Sequence, residues 1–217
     1  MTKFLAPDQK VKVYSVCSMI SGEGKSFVAL NLASTLALSG ARVLLVGLDL
    51  RKPKLFNELG LNNSVGMSTL LSGQSVIQEV IQATGRFNLD LVPAGPVPPN
   101  PSELIASEAF ELFMQEVNST YDFVIIDTPP LGLISDGFTI AKFVDVNIVV
   151  VRQDYSLKPM MPVLGDYIRS NRLQHVGIVV NDIAPQRGYG QGYGYAYGYG
   201  YGYAYGSKDR SGYYIED

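Results

Sequence analysis

Residues 11–26 read VKVYSVCSMISGEGKS. Val11, Val13 and Val16 with Tyr14 and Cys17 have the composition of a buried strand, and Lys25 to Ser39 carry apolar residues at helical spacing (Val28, Leu32, Leu36) before Gly40 stops the pattern. Between strand and helix lies Ser21-Gly22-Glu23-Gly24-Lys25-Ser26. Gly22 and Gly24 allow the backbone to curl so that its N–H groups face inward, toward an anion at the N-terminus of the helix. Lys25 then reaches the β- and γ-phosphates of a nucleotide, and the Ser26 hydroxyl is placed to ligate Mg²⁺. Met19 stands where the general phosphate-loop pattern has its first glycine, so the strict eight-residue motif is not met.

The same alternation continues outward from this unit. Arg42 to Leu48 is a continuous apolar run, as a parallel strand covered on both faces requires. Leu89–Val92, Phe123–Ile126, Asn147–Val151 and Val176–Val180 are further short apolar runs. Helical patterns lie near 75–83, 103–117, 136–143 and 160–171. Alternating β and α elements predict an α/β fold of the P-loop type, a mostly parallel central sheet with helices on both faces. Ligands of such sheets bind beyond the carboxyl ends of the strands. There the loop at 21–26 meets two carboxylates, Asp49 after the second strand and Asp127 after Val124-Ile125-Ile126. Asp127 suits a Mg²⁺ carboxylate, direct or through water, or alternatively a cap on the following turn. Asp49 suits a water-mediated Mg²⁺ contact or a base for an incoming hydroxyl, or alternatively a partner of Arg51 or Lys52.

The Pro-rich stretch Pro93 to Pro101 excludes helix and central strand and reads as an ordered extended connection, with Ser102 placed to cap the helix after it. Arg51, Lys52 and Lys54 read as a solvated basic turn, and Asp122 as a solvated carboxylate. Asp136 reads either as a helix cap or as a sensor of bound nucleotide. His175, the single histidine, reads as a loop residue, and Cys17 as a buried strand residue without thiolate reactivity.

Composition narrows the function classes. A chain of 217 residues with a net charge of -3 has no broad electrostatic footprint for nucleic acid, so nucleic acid is not an expected partner. One cysteine excludes an internal disulfide and a cysteine metal cluster. No apolar run reaches the roughly 18–20 residues that span a bilayer, so a membrane link is expected to come through a partner or another segment.

Residues 188–206 are almost entirely Gly and Tyr, and ten of the 14 tyrosines lie at or beyond Tyr189. They are Tyr189, Tyr193, Tyr195, Tyr197, Tyr199, Tyr201, Tyr203, Tyr205, Tyr213 and Tyr214. Such a segment lacks aliphatic side chains for a core, and its glycines lose much entropy on ordering, so mobility is expected. The chain therefore divides into a folded body at 1–187 and a tyrosine-rich tail at 188–217. The tail reads either as a phosphoacceptor or as a Gly/Tyr spacer that associates by stacking.

Three segments together resemble the cytoplasmic catalytic domain of the bacterial tyrosine kinases (BY-kinases) of exopolysaccharide and capsule assembly. They are Ser21–Ser26 as Walker A, Val43–Pro53 (VLLVGLDLRKP) as the additional Walker A′ motif, and Tyr121–Pro130 (YDFVIIDTPP) as Walker B. Pro93–Leu104 (PAGPVPPNPSEL) and the tyrosine cluster extend the resemblance over nearly the whole chain. It implies ATP and Mg²⁺ as cofactors, held by Ser21, Gly22, Glu23, Gly24, Lys25 and Ser26, with Asn181 at the adenine. It implies Lys25, Asp49 and Asp127 as the catalytic groups, Ser26, Asp49 and Asp127 as the metal-side groups, and autophosphorylation in trans of the tail tyrosines. It also implies a ring-like homo-oligomer, a transmembrane activator, a tyrosine phosphatase as counterpart, and a place on the cytoplasmic face of the bacterial inner membrane.

Two departures from the family pattern stand out. Gly47 occupies the first aspartate position of Walker A′. The residues before Val11 include no counterpart of the family's Glu-Ala-x-Arg helix that packs subunits together, which predicts weakened ring assembly. Gly47 keeps a second reading open, a nucleotide-dependent regulatory switch or pseudokinase without protein phosphorylation.

Overall fold

The computed structural model describes residues 12–132 and 136–184. The tail tyrosines and the boundary at 187/188 lie outside the described residues. Seven strands form one sheet: β1 (Val13–Ser18), β2 (Val43–Gly47), β3 (Gln82–Ala83), β4 (Leu89–Val92), β5 (Phe123–Asp127), β6 (Val146–Arg152) and β7 (Val176–Asn181). Their order is β3-β4-β2-β5-β1-β6-β7, with every pairing parallel except β3 against β4. Around them lie α1 (Lys25–Leu38), α2 (Leu55–Leu59), α3 (Met67–Leu71), α4 (Ile77–Val80), α5 (Pro101–Ile105), α6 (Glu108–Thr120), α7 (Asp136–Ile140) and α8 (Met160–Arg169). This is the P-loop NTPase fold, and the six longer strands fall where the apolar runs place them.

The sheet is covered on both faces, which explains why β2 is buried along its whole length. On one face Tyr14, Val16, Leu45, Ile125, Ile148 and Val150 pack against α1. That helix turns Ala29, Ala33 and Ala37 to the sheet. The small side chains permit close approach, and Val28, Leu32 and Leu36 flank the contact half-buried. On the other face Val13, Leu44, Val46, Val124 and Ile126 meet Phe110, Phe113, Met114 and Val117 of α6 and Met67 and Leu71 of α3. Cys17 belongs to a third cluster with Met19, Val149, Leu164 and Leu173. Burial pushes its thiol up to about 12, so the thiol is inert as the sequence predicts.

Three helix expectations need correction. The predicted helix over 75–83 is the short α4 followed by the edge strand β3. The predicted helix over 103–117 is two helices broken at Ala106–Ser107. The Ser107 hydroxyl donates to Leu104 O at 2.7 Å, a local bond that competes with continuation of the helix. Ser102 does not cap α5, whose N-cap is Asn100 followed by Pro101 at the first helical position. The short helices α2 and α3 have too little periodicity to be visible in sequence. Among the described residues, no helix is long and apolar enough to cross a membrane.

Candidate active site

Parallel pairing brings the site residues to one end of the sheet. Val16 of β1 and Gly47 of β2 both pair with Asp127 of β5, so β5 ends between them. The chain leaves β1 through Ser18, Met19 and Ile20 into the loop that opens α1. Met19 is fully buried and its side chain fills the third hydrophobic cluster. Its backbone carbonyl accepts from Gly132 N–H at 3.0 Å. The glycine of the general motif is thus replaced by a core residue that sits before the curl.

The curl itself depends on two left-handed residues, Gly22 at φ 89° and Gly24 at φ 91°. Gly24 is the N-cap of α1 and supplies no side-chain cap. The first amides of that helix therefore remain donors for an external anion, reinforced by the helix dipole. Ser21 and Gly22 are exposed. Glu23 is 1% exposed, and its carboxylate turns away from the curl to accept from Ile20 N–H at 2.9 Å and from the Ser156 hydroxyl. Within the predicted phosphate cradle, Glu23 therefore contributes its backbone and uses its side chain as a brace.

Lys25, Ser26, Asp49 and Asp127 converge. Lys25 Nζ lies 3.1 Å from Asp49 Oδ2 and 3.9 Å from Asp127 Oδ1, and Ser26 Oγ donates to Asp127 Oδ2 at 2.6 Å. Asp49 Oδ1 also accepts from Lys52 N–H at 3.1 Å, which fixes the turn after β2. Of the readings left open for Asp49, the structure shows the contact with Lys52, through its backbone rather than its side chain, and adds a contact with Lys25 that the sequence does not suggest. Burial is the main force on Asp127: it pushes the carboxyl up to about 6 against the pull of Lys25 and the Ser26 hydroxyl.

Arg51 is exposed, as the sequence suggests, but its guanidinium is also tied down. Its guanidinium donates to Asp136 Oδ2 from Nε at 3.3 Å and from Nη2 at 3.2 Å, and Nη2 also donates to Ser102 Oγ at 2.9 Å. The Ser102 hydroxyl in turn donates to Asp136 Oδ1 at 2.6 Å. Asp136 is 2% exposed and opens α7, so the Walker A′ turn, the end of the Pro-rich segment and α7 share one polar knot. Asp122 is half-exposed as expected, paired with Arg42. His175 is an exposed residue of positive φ, as a loop position allows.

Asn181, at the end of β7, reaches the loop: its Nδ2 donates to Glu23 O at 3.1 Å. Sequence reasoning missed three further residues that touch the loop. Arg152 ends β6, Tyr155 and Ser156 follow it, and the three contact Gly22, Ser21 and Glu23 respectively. No motif marks them.

The arrangement is an anion cradle backed by a lysine between two carboxylates. The family model described as an AAA domain matches residues 11–170. Tyrosine-protein kinase YwqD of Bacillus subtilis (strain 168) is 32% identical over 179 residues, covering 82% of this chain and 76% of the relative. The chain belongs to the bacterial tyrosine kinase family. Among other BY-kinases, tyrosine-protein kinase wzc of Salmonella typhi is 36% identical over 173 residues, 79% of this chain but 24% of that protein. The kinase domain of the Escherichia coli tyrosine kinase ETK superposes with a TM-score of 0.78 at 28% identity, covering 87% of this chain and 74% of that one. The chain thus spans about three quarters of one curated BY-kinase and about a quarter of another.

Proposed function

We propose that this chain transfers the γ-phosphoryl group of ATP to tyrosine hydroxyls, chiefly those of the tail of a neighbouring copy. The observation that carries the reading is the contact set of Lys25 with Asp49 and Asp127 at the mouth of a glycine-lined helix N-terminus. In the reaction a tyrosine Oη bonds to the γ-phosphorus, the bond from that phosphorus to the β,γ-bridging oxygen breaks, and ADP leaves. Lys25 neutralises charge on the phosphates, and the amides of Gly22 to Ser26 hold them in line. With glycine at 47, Asp49 is the Walker A′ carboxylate left to take the phenolic proton and pass it to solvent.

The residues present fit a Mg²⁺ ion. Asp127 Oδ1 is buried without a hydrogen-bond partner, and with the Ser26 hydroxyl and Asp49 it offers the hard oxygen donors that this ion prefers. Among the described residues no group of three or more His, Cys, Asp or Glu side chains converges on a metal, which suits an ion that is shared with substrate phosphates. When bound, Mg²⁺ supplies neutralisation of the charge that develops on the phosphate oxygens.

The same reading assigns the chain to control of exopolysaccharide or capsule assembly at the cytoplasmic face of the inner membrane, with a transmembrane activator, a counteracting phosphatase and a ring of copies. Family membership supports these roles, and charge supplies a mechanism. Each phosphate adds about -1.5 to -2 charges. A tail that balances three basic and three acidic residues from Arg187 onward becomes strongly anionic, so neighbouring copies repel and separate.

A nucleotide switch without protein phosphorylation is the second reading, favoured by Gly47. A Cβ there would stand 3.2 Å from Ala94 N, so a side chain at 47 requires the backbone after β4 to give by a few tenths of an ångström. Intact mass after phosphatase-treated protein meets Mg-ATP separates the two. The kinase reading predicts concentration-dependent gains of phosphate that map to Tyr189–Tyr214. ATP binding with no added mass selects the switch.

A further inference from the structure

Three consecutive carbonyls of the phosphate loop each accept a hydrogen bond from a side chain of the β6–β7 side of the sheet. Tyr155 Oη donates to Ser21 O at 3.1 Å, Arg152 Nη1 to Gly22 O at 3.1 Å, and Asn181 Nδ2 to Glu23 O at 3.1 Å. In a trans peptide the carbonyl of one residue and the N–H of the next lie in one plane and point in opposite directions. Donors that draw the carbonyls of 21, 22 and 23 to one side therefore aim the amides of Gly22, Glu23 and Gly24 to the other. Those are the amides of the anion cradle.

The donors are themselves held. Arg152 pairs with Asp182 through Nε and Nη2, both at 2.9 Å, and lies 5.0 Å from the centroid of the Tyr155 ring. Arg152 N–H donates to Ser156 Oγ at 2.8 Å, and the Ser156 hydroxyl donates to the buried Glu23 carboxylate. The end of β6 and the loop after it thus grip the phosphate loop at both backbone and side chain. The glycines fit the same arrangement, because a Cβ on Gly22 would strike the Tyr155 hydroxyl and one on Gly24 would strike the Asn181 amide nitrogen. Their lack of a side chain admits the donors as well as the left-handed backbone.

We propose that Tyr155 and Arg152 are positioning residues that preorganise the loop for the β-phosphate, so that nucleotide affinity is set in part by the end of β6 and the turn after it. The inference rests on the nucleotide-binding part of the reading above and not on tyrosine as acceptor. It is tested by titrating the full chain with fluorescent Mg-ADP. Tyr155→Phe removes one hydroxyl and keeps the aromatic face for Arg152, and Arg152→Gln removes the donor to Gly22 O. Each is expected to raise the Kd about 3–10-fold, the range of one net hydrogen bond.

The matched control is Thr84→Val. It removes another hydroxyl bond, from Oγ1 to Leu89 O at 2.7 Å, beside the edge strand β3 and away from the loop. It is expected to lower Tm and leave the Kd within twofold, whereas Tyr155→Phe moves the Kd and leaves the nucleotide-free Tm nearly unchanged. Wild-type binding with both loop variants within twofold of it overturns the inference alone. Wild-type protein that does not bind Mg-ADP overturns the nucleotide reading and this inference with it.

Discussion

Lys25→Met lowers the rate of phosphoryl transfer by about 10²–10³-fold at saturating ATP, the cost of removing one preorganised group that faces developing charge. The substitution also acts on the resting protein. Lys25 side chain exposure is 11%, beside Asp127 at 3% and Asp49 at 9%. Methionine leaves two buried carboxylates with each other and without their cation, and breaking a buried pair in this way costs about 3–5 kcal/mol. The nucleotide-free variant is therefore expected to melt earlier than wild type. Parallel measurement of kcat and of Tm checks this, and a variant that loses activity at unchanged Tm would show that Lys25 is less tied to the carboxylates than its distances imply.

Asp127→Asn separates activity from stability in the opposite sense. Activity falls, by about 10²-fold or more, because the variant loses the carboxylate that accepts from Ser26 and the charge that suits Mg²⁺. Stability without nucleotide and Mg²⁺ rises at pH 7.5. The sign follows from linkage: the folded carboxyl holds its proton up to about 6, whereas the unfolded chain releases it near 3.8. Stability is thus greatest below the lower value, declines between the two as pH rises, and stays at the lower level above about 6. At about 1.4 kcal/mol per pKa unit, the charged form costs up to about 3 kcal/mol that asparagine does not incur. Chemical denaturation in EDTA at several pH values checks it: the variant's advantage should shrink as pH falls from 6 toward 4. An advantage independent of pH would contradict the burial argument.

The cost at Asp127 is typical of a site built for a cationic partner. The same economy explains what the sequence reveals and what it hides. Continuous apolar runs such as Val43–Gly47 are legible because a strand buried on both faces has no other composition available. The convergence of Lys25, Asp49 and Asp127 is legible because parallel strands bring their carboxyl ends to one edge. Ala29, Ala33 and Ala37 are harder to read, since small residues that face the sheet look like ordinary helix formers and the larger flanking residues draw attention first. The knot of Arg51, Ser102 and Asp136 and the grip of Arg152, Tyr155 and Asn181 on the loop join residues 34–158 positions apart. Their partners are set by which strands are neighbours in space, and no local pattern encodes that.

The most direct test of the central claim mixes two full-length variants of different mass. The donor keeps Lys25 and has the ten tyrosines from Tyr189 to Tyr214 replaced by phenylalanine; the acceptor carries Lys25→Met and keeps its tail. Neither is expected to gain mass alone with Mg-ATP. Together, the acceptor is expected to gain phosphates that map to Tyr189–Tyr214, at a rate that rises with donor concentration. An acceptor whose mass stays constant while the donor binds ATP would contradict phosphoryl transfer between copies.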